Sequence, residues 1–75
     1  MFAMHLRPEV LKQLREEYPK GTRVELIEMN DPYREMPPGL KGTVQTVDDA
    51  GGIQINWDNG STLAAIHGFD RIRKV

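Results

Sequence analysis

The sequence predicts a mainly β protein, a small antiparallel barrel preceded by one short α-helix. Three observations lead to this prediction. Apolar residues recur at helical spacing before residue 19 and at every second position after residue 20. Residues 48–52 and 59–60 have the composition of hairpin turns. A chain of 75 residues buries about 60% of its extended-chain surface, which suffices for one modest core.

The predicted helix spans residues 8–17. Pro8 suits the first helical position, where its missing N–H is not needed, and Glu9 favours the positive helix end. Pro19 ends the helix, because the residue before a proline is driven towards an extended conformation. A helix of under three turns is marginal alone. Its apolar stripe must therefore pack on the strands that follow: Leu6, Val10, Leu11, Leu14 and Tyr18.

Four to five short strands are predicted after Lys20. In the first, Val24 and Leu26 alternate with polar residues, and the change of parity at Ile27 and Met29 indicates a bulge or a twisted strand end. The second strand begins near residues 41–42. The third is the clearest, because alternate positions place three apolar residues on one face: Ile53, Ile55 and Trp57.

The later turns suggest how the sheet closes. Asn59-Gly60 predicts a tight primed turn, because both residue types tolerate positive φ. Leu63 and Ala65 face inward on a fourth strand, and residues 71–75 form a last one with Ile72 inward. Small twisted sheets close best as barrels. We therefore expect an SH3-like barrel over residues 20–75 with the segment 1–19 packed on it; the alternative is an open antiparallel sheet covered by the helix.

Composition and charge narrow the function classes. Ten Lys and Arg against eleven Asp and Glu give a net charge of −1, which argues against a strongly basic nucleic-acid binder. With no cysteine there is no disulfide, thiolate zinc site or cysteine nucleophile. The apolar stretches are too short to span a membrane, and the N-terminus lacks the charge order of a secretory signal. We expect a cytoplasmic protein without membrane contact.

The apolar N-terminus allows two interpretations. Phe2, Met4 and Leu6 can pack on their own domain, which we favour because apolar side chains usually reach their own core first. Alternatively they pair with a second copy, so that a homo-oligomer forms.

An ordered set of short motifs resembles a known family. The motifs are Tyr18 to Leu26, Asp31-Pro32-Tyr33, Pro38-Gly39, Gly42-Thr43-Val44, Val47-Asp48-Asp49 and Trp57 to Ser61. Over about residues 18–75 they resemble a small bacterial domain known only as a domain of unknown function, frequent in phages, prophages and other mobile elements. The resemblance implies an SH3-like barrel and brings no established activity. Asn30 stands where that family is expected to have an acidic residue, and the first 17 residues fall outside the resemblance.

No pattern of residues predicts catalysis, a metal or a cofactor. Adjacent Asp48 and Asp49 point to opposite faces of a strand, so a solvated turn explains them better than a carboxylate pair. Ser61 and His67 lack an orienting group. His5 and His67 with Asp31 or Asp70 show no metal-ligand spacing. Residues 39–43 faintly resemble a phosphate loop, but a strand follows where such a loop needs a helix.

Basic residues concentrate near the two ends of the chain. Residues 21–69 hold three basic and seven acidic side chains, a net charge of −4. Arg71, Arg73 and Lys74 can form a stripe for nucleic acid or another anion if the helix and the last strand are neighbours. Ordinary solvated faces are the favoured interpretation at this net charge.

A binding site for a protein or peptide is better supported. Asp31, Tyr33 and Arg34 lie in a long loop, and Trp57, Asp58 and Asn59 lie at the neighbouring hairpin. Aromatic rings with carboxylates and an arginine suit a recognition groove. Trp57 also shares parity with Ile53 and Ile55, which favours a core position.

We therefore expect a non-catalytic binding module that recognises a protein or peptide through this loop and hairpin. One alternative is a phage counter-defence factor that inhibits a host immune protein or, as an oligomer, sequesters a nucleotide signal. A second alternative is a nucleic-acid accessory module that uses the basic stripe.

Overall fold

The computed structural model describes residues 6–29 and 36–75. One helix, α1 (Pro8–Glu17), precedes five strands: β1 (Arg23–Glu28), β2 (Lys41–Val47), β3 (Gly52–Trp57), β4 (Ala65–Ile66) and β5 (Arg71–Lys74). The predicted mainly β fold, with five antiparallel strands after one short helix, is confirmed. Phe2 and Met4 lie outside the described residues, whereas Leu6 packs against the core.

The strands form one antiparallel sheet in the order β4-β3-β2-β1-β5. The first four strands form a meander, and β5 returns to pair with β1. The register shifts between Leu26 and Glu28 where β1 meets β5, which confirms the predicted irregularity after Leu26. A second shift lies between Val44 and Thr46. Each bulge bends its strand and increases its twist.

The core lies under one face of this sheet. The inward positions of β1 and β3 alternate as predicted, those of β2 shift at the bulge between Val44 and Thr46, and the helix adds Leu14 at 6% exposure. Partly buried apolar residues pack around this centre. The buried residues of the described chain are Leu14, Val24, Leu26, Val44, Val47, Ile53, Ile55, Trp57 and Ala65.

The helix has the predicted bounds, and its last turn is bonded to the β2–β3 hairpin. Pro8 occupies the first turn, and Tyr18 N–H closes the helix on the carbonyl of Leu14 at 2.8 Å. The Arg15 guanidinium donates to the carbonyl of Val47 at 3.3 Å and to Asp49 Oδ1 at 2.7 Å. These bonds hold the helix against the β2–β3 hairpin.

The hairpin after β3 differs from its prediction. Gly60 N–H donates to the carbonyl of Trp57 at 3.0 Å, and Gly60 has φ +91°. No non-glycine residue in the described chain has a positive φ, so Asn59 does not adopt the primed conformation predicted for it. A single left-handed glycine after the turn suits a three-residue loop with a bulge. The fourth strand is also shorter than expected. The sequence predicts that it includes Leu63, but β4 begins only at Ala65.

The sheet is open within the described residues. β4 and β5 are its two end strands, and they are not hydrogen bonded to each other. Both ends nevertheless line one groove, so the sheet curls into a barrel-like shape without closing its ladder. A two-residue β4 is too short to supply that closure. In the same parts of the chain no helix combines the length and apolar character needed to cross a membrane.

Candidate binding groove

The gap between the two sheet ends forms a groove of about 400 Å³. We call it the β4–β5 groove, and it is lined by Tyr18, Ile53 and residues 65–72. Aliphatic side chains from β3, β4 and β5 contribute apolar surface. This volume falls within the range of about 300–1,000 Å³ that is usual for ligand sites.

Two aromatic side chains line this groove. Tyr18 follows the helix, and Phe69 projects from the turn before β5 with 56% of its surface exposed. Partial burial raises the pKa of the Tyr18 phenol, and the charge and hydrogen bond of Glu17 raise it further. The phenol therefore stays protonated at neutral pH. Lys74 Nζ lies 5.6 Å from the centre of the Tyr18 ring, within cation–π distance.

The turn that carries Phe69 is built by local hydrogen bonds. Asp70 Oδ2 accepts from Ile66 N–H at 2.8 Å, and the Ile66 carbonyl accepts from the N–H groups of Phe69 and Asp70. His67 N–H donates to the carbonyl of Gly51 at 3.0 Å, which ties the turn to the β2–β3 hairpin. His67 also lines a second hollow of about 330 Å³ against Val10, Gln13, Leu14 and Glu17 of the helix.

Trp57 belongs to the core and not to a surface groove. Only 3% of its surface is exposed, and its indole N–H donates to the carbonyl of Leu63 at 2.7 Å. The inward parity that it shares with Ile53 and Ile55 explains this position. Its inclusion among the predicted ligand-binding residues is therefore corrected.

The two hairpin residues beside Trp57 are engaged within the chain. Both Asp58 oxygens accept hydrogen bonds from the Arg23 guanidinium, at 2.8 and 2.7 Å. This pairing lowers the pKa of Asp58 and raises that of Arg23. Asn59 Oδ1 accepts from Ser61 N–H at 3.0 Å. The Asp58 side chain thus ties this hairpin to β1, and the Asn59 side chain stabilises the hairpin itself.

The predicted loop residues Asp31, Tyr33 and Arg34 lie outside the described residues, so their role stays a prediction. Among the flanking loop residues, Met36 packs against the core and Pro37 is exposed.

The C-terminal basic residues have different environments. Arg73 donates two hydrogen bonds to Glu25 Oε1, at 3.0 and 2.7 Å, and Lys74 lies over Tyr18. In the described part of the chain, no carboxylate lies within ion-pair distance of Arg71. The helix cations Arg15 and Lys12 face their own acidic partners, Asp49 and Glu16. Arg71, which also lines the groove, is therefore the β5 cation best placed to meet an external anion.

Two further groups from the sequence analysis are structural. Asp48 accepts hydrogen bonds from Ala50 N–H, Gly52 N–H and the Gln54 amide, at 2.7–3.0 Å, and so holds the β2–β3 hairpin. Gly42, from the faint phosphate-loop pattern, lies in β2 against Ile55 and Trp57. Over residues 6–29 and 36–75, no group of three or more metal-ligating side chains is found.

Sequence reasoning did not identify the β4–β5 groove. The apolar spacing places Tyr18 in the helix stripe, and no pattern of residues marks Phe69 as part of a site. The only available signal was Gly68-Phe69-Asp70, which places a large aromatic residue inside a turn motif, where it has little chance of full burial.

Comparison with known proteins supports the family assignment. Residues 7–75 match the family described as a domain of unknown function, DUF4314. The match begins before the helix, whereas the sequence resemblance was placed at about residues 18–75. No curated protein and no solved structure matches the chain. Because the match covers nearly the whole chain, helix included, this protein belongs to the DUF4314 family of domains of unknown function.

Proposed function

We propose that this chain is a non-catalytic binding module whose β4–β5 groove takes a short segment of a partner protein. The observation that carries the proposal is the lining of the groove. It combines apolar surface from Ile53, Ala65 and Ile72 with two aromatic side chains. Apolar and aromatic grooves with a few polar groups are the usual form of peptide and small-ligand sites.

Phe69 strengthens the proposal. A phenylalanine with 56% of its surface exposed beside an apolar hollow exposes area that a partner could cover. Phenylalanine buries a large apolar area when it is covered, and aromatic residues are enriched at protein interfaces. The carboxylate of Asp58, by contrast, is already paired with Arg23.

The proposal also includes a fold class and a biological origin. The return of β5 to β1 supports placing the sheet among SH3-like barrels. An origin in a phage or mobile element rests on the sequence resemblance, as does the counter-defence alternative. If the ligand proves to be a nucleotide or a nucleic acid, one of the alternatives from the sequence analysis replaces this proposal.

A selection from a random-peptide display library tests the function. We expect selected peptides to bind the wild type and to lose at least about tenfold in affinity on Phe69→Ala, the fold-change that corresponds to about 1.4 kcal/mol. Ile27→Ala is the matched control, because Ile27 is also an exposed apolar residue and lies outside the groove lining.

Tyr33→Ala separates the groove from the long loop. Loss of binding on Tyr33→Ala with full binding by Phe69→Ala would move the site to the loop. Failure to select any peptide that Phe69→Ala weakens would refute the groove as the site. Thermal melts of each variant check that a loss of binding is not a loss of folding.

A further inference from the structure

The outer edge of β5 presents backbone groups that no described strand uses. Val75 N–H donates to the carbonyl of Arg23 at 3.1 Å, whereas Leu26 directs its N–H and C=O to residues 39–40 at 2.7 Å. Residues of an antiparallel strand alternate between facing their neighbour and facing away. Ile72 pairs with Leu26 and Lys74 with Val24, so the N–H and C=O groups of Ile72 and Lys74 point away from β1.

This edge borders the β4–β5 groove. Arg71 and Ile72 line the groove, and Ile72 is partly buried against the core. Successive side chains of a strand lie on opposite faces, so Ile72 lies on the core side while Arg71 and Arg73 share the other face. Open backbone groups and apolar surface thus lie side by side.

We propose that the groove takes an extended peptide strand that pairs with the outer edge of β5 and alternates acidic and apolar side chains. This inference rests on the proposed binding function and names the chemistry of the partner. The backbone of the peptide bonds to Ile72 and Lys74. An apolar side chain contacts Ile72 in the groove, and an acidic side chain on the other face meets Arg71, whereas Arg73 is already paired with Glu25. Strand addition of this kind takes affinity from main-chain bonds and specificity from alternate side chains.

The positive charge of β5 argues against a second copy of this chain as the occupant of the groove. Three of the four β5 residues are cationic. Two β5 strands paired with each other would bring these like charges together, which is destabilising. β4, the other end of the sheet, has only two residues and offers a short edge. An acidic strand from a different protein meets neither obstacle.

Two synthetic peptides test the inference, acetyl-Gly-Glu-Ile-Glu-Ile-Glu-Gly-amide and its counterpart with Lys in place of each Glu. We expect the acidic peptide to bind and to shift the amide NMR signals of Ile72 and Lys74 more than those at the Asp58-Asn59-Gly60 hairpin. Arg71→Glu should weaken this binding about three- to tenfold at low ionic strength. Lys12→Glu makes the same charge change on an exposed helix position and should leave it unchanged.

The charge-reversed pair, the Lys peptide with the Arg71→Glu variant, provides a second test of the inference. The Lys peptide should bind Arg71→Glu better than it binds the wild type. Equal binding of both peptides by the wild type, or no effect of Arg71→Glu, would overturn the inference. Dimerisation with shifts at Ile72 and Lys74 in the absence of peptide would make a second copy the occupant and would equally overturn it. Library peptides that need Phe69 but leave these two amides unshifted would overturn strand addition while the proposed function stands.

Discussion

Replacement of Gly42 by alanine should destabilise the domain strongly. A β-carbon at this position would lie 2.6 Å from Ile55 Cγ2, 2.9 Å from Trp57 Cε3 and 3.0 Å from the backbone oxygen of Asn56. Ile55 and Trp57 are 1% and 3% exposed, so neither side chain can turn aside without disturbing the core. Overpacking costs about 1–3 kcal/mol, so we expect Gly42→Ala to lower the Tm by about 5–20 °C.

Urea unfolding followed by tryptophan fluorescence provides the assay. Trp57 is the only tryptophan, and its burial makes its emission a reporter of the core. Ile55→Leu removes the γ2 methyl group that alanine would meet, so the double variant should recover at least about 0.5 kcal/mol relative to additivity. A Gly42→Ala variant within about 0.5 kcal/mol of the wild type would refute the packing of β2 on Trp57.

Two further predictions concern the hairpins. Asp48→Ala should cost about 1–2 kcal/mol in the same urea assay, because two backbone N–H groups lose their acceptor, whereas Asp49→Ala should cost under about 0.5 kcal/mol. Equal losses would contradict the capping role of Asp48. An NMR titration should place the pKa of Asp58 below the ordinary aspartate value of about 3.9, and Arg23→Gln should raise this pKa, because the Arg23 hydrogen bond is the main cause of the lowering. Because the folded-state pKa is the lower one, the pair stabilises the fold above the ordinary aspartate pKa, and this contribution is lost as the pH falls through the folded-state pKa; an unchanged pKa in Arg23→Gln would contradict the pairing.

The elements that could be predicted are those governed by short-range signals. Pro8 and Pro19 bracket the helix, so its bounds followed from two local constraints on φ and hydrogen bonding. The alternation of Ile53, Ile55 and Trp57 likewise predicted the inward face of β3. Asn59 was misassigned because its tolerance of positive φ permits a primed turn without requiring one.

The groove could not be predicted because it depends on distances between sheet ends. Tyr18 and Phe69 lie about fifty residues apart in the chain and line one groove only because the sheet curls and leaves β4 and β5 unpaired. The gap between β4 and β5 depends on the length of β4, which has only two residues. No local pattern marks where a strand stops after two residues, and Leu63 and Ala65 alone predicted a longer one.

Amide hydrogen exchange of the free protein tests the open β5 edge most directly. The account predicts slow exchange at Arg73 and Val75, whose N–H groups face β1, and fast exchange at Ile72 and Lys74, whose N–H groups face the open edge. Strong protection of Ile72 and Lys74 in the dilute free protein would contradict it, because the edge would then already be covered.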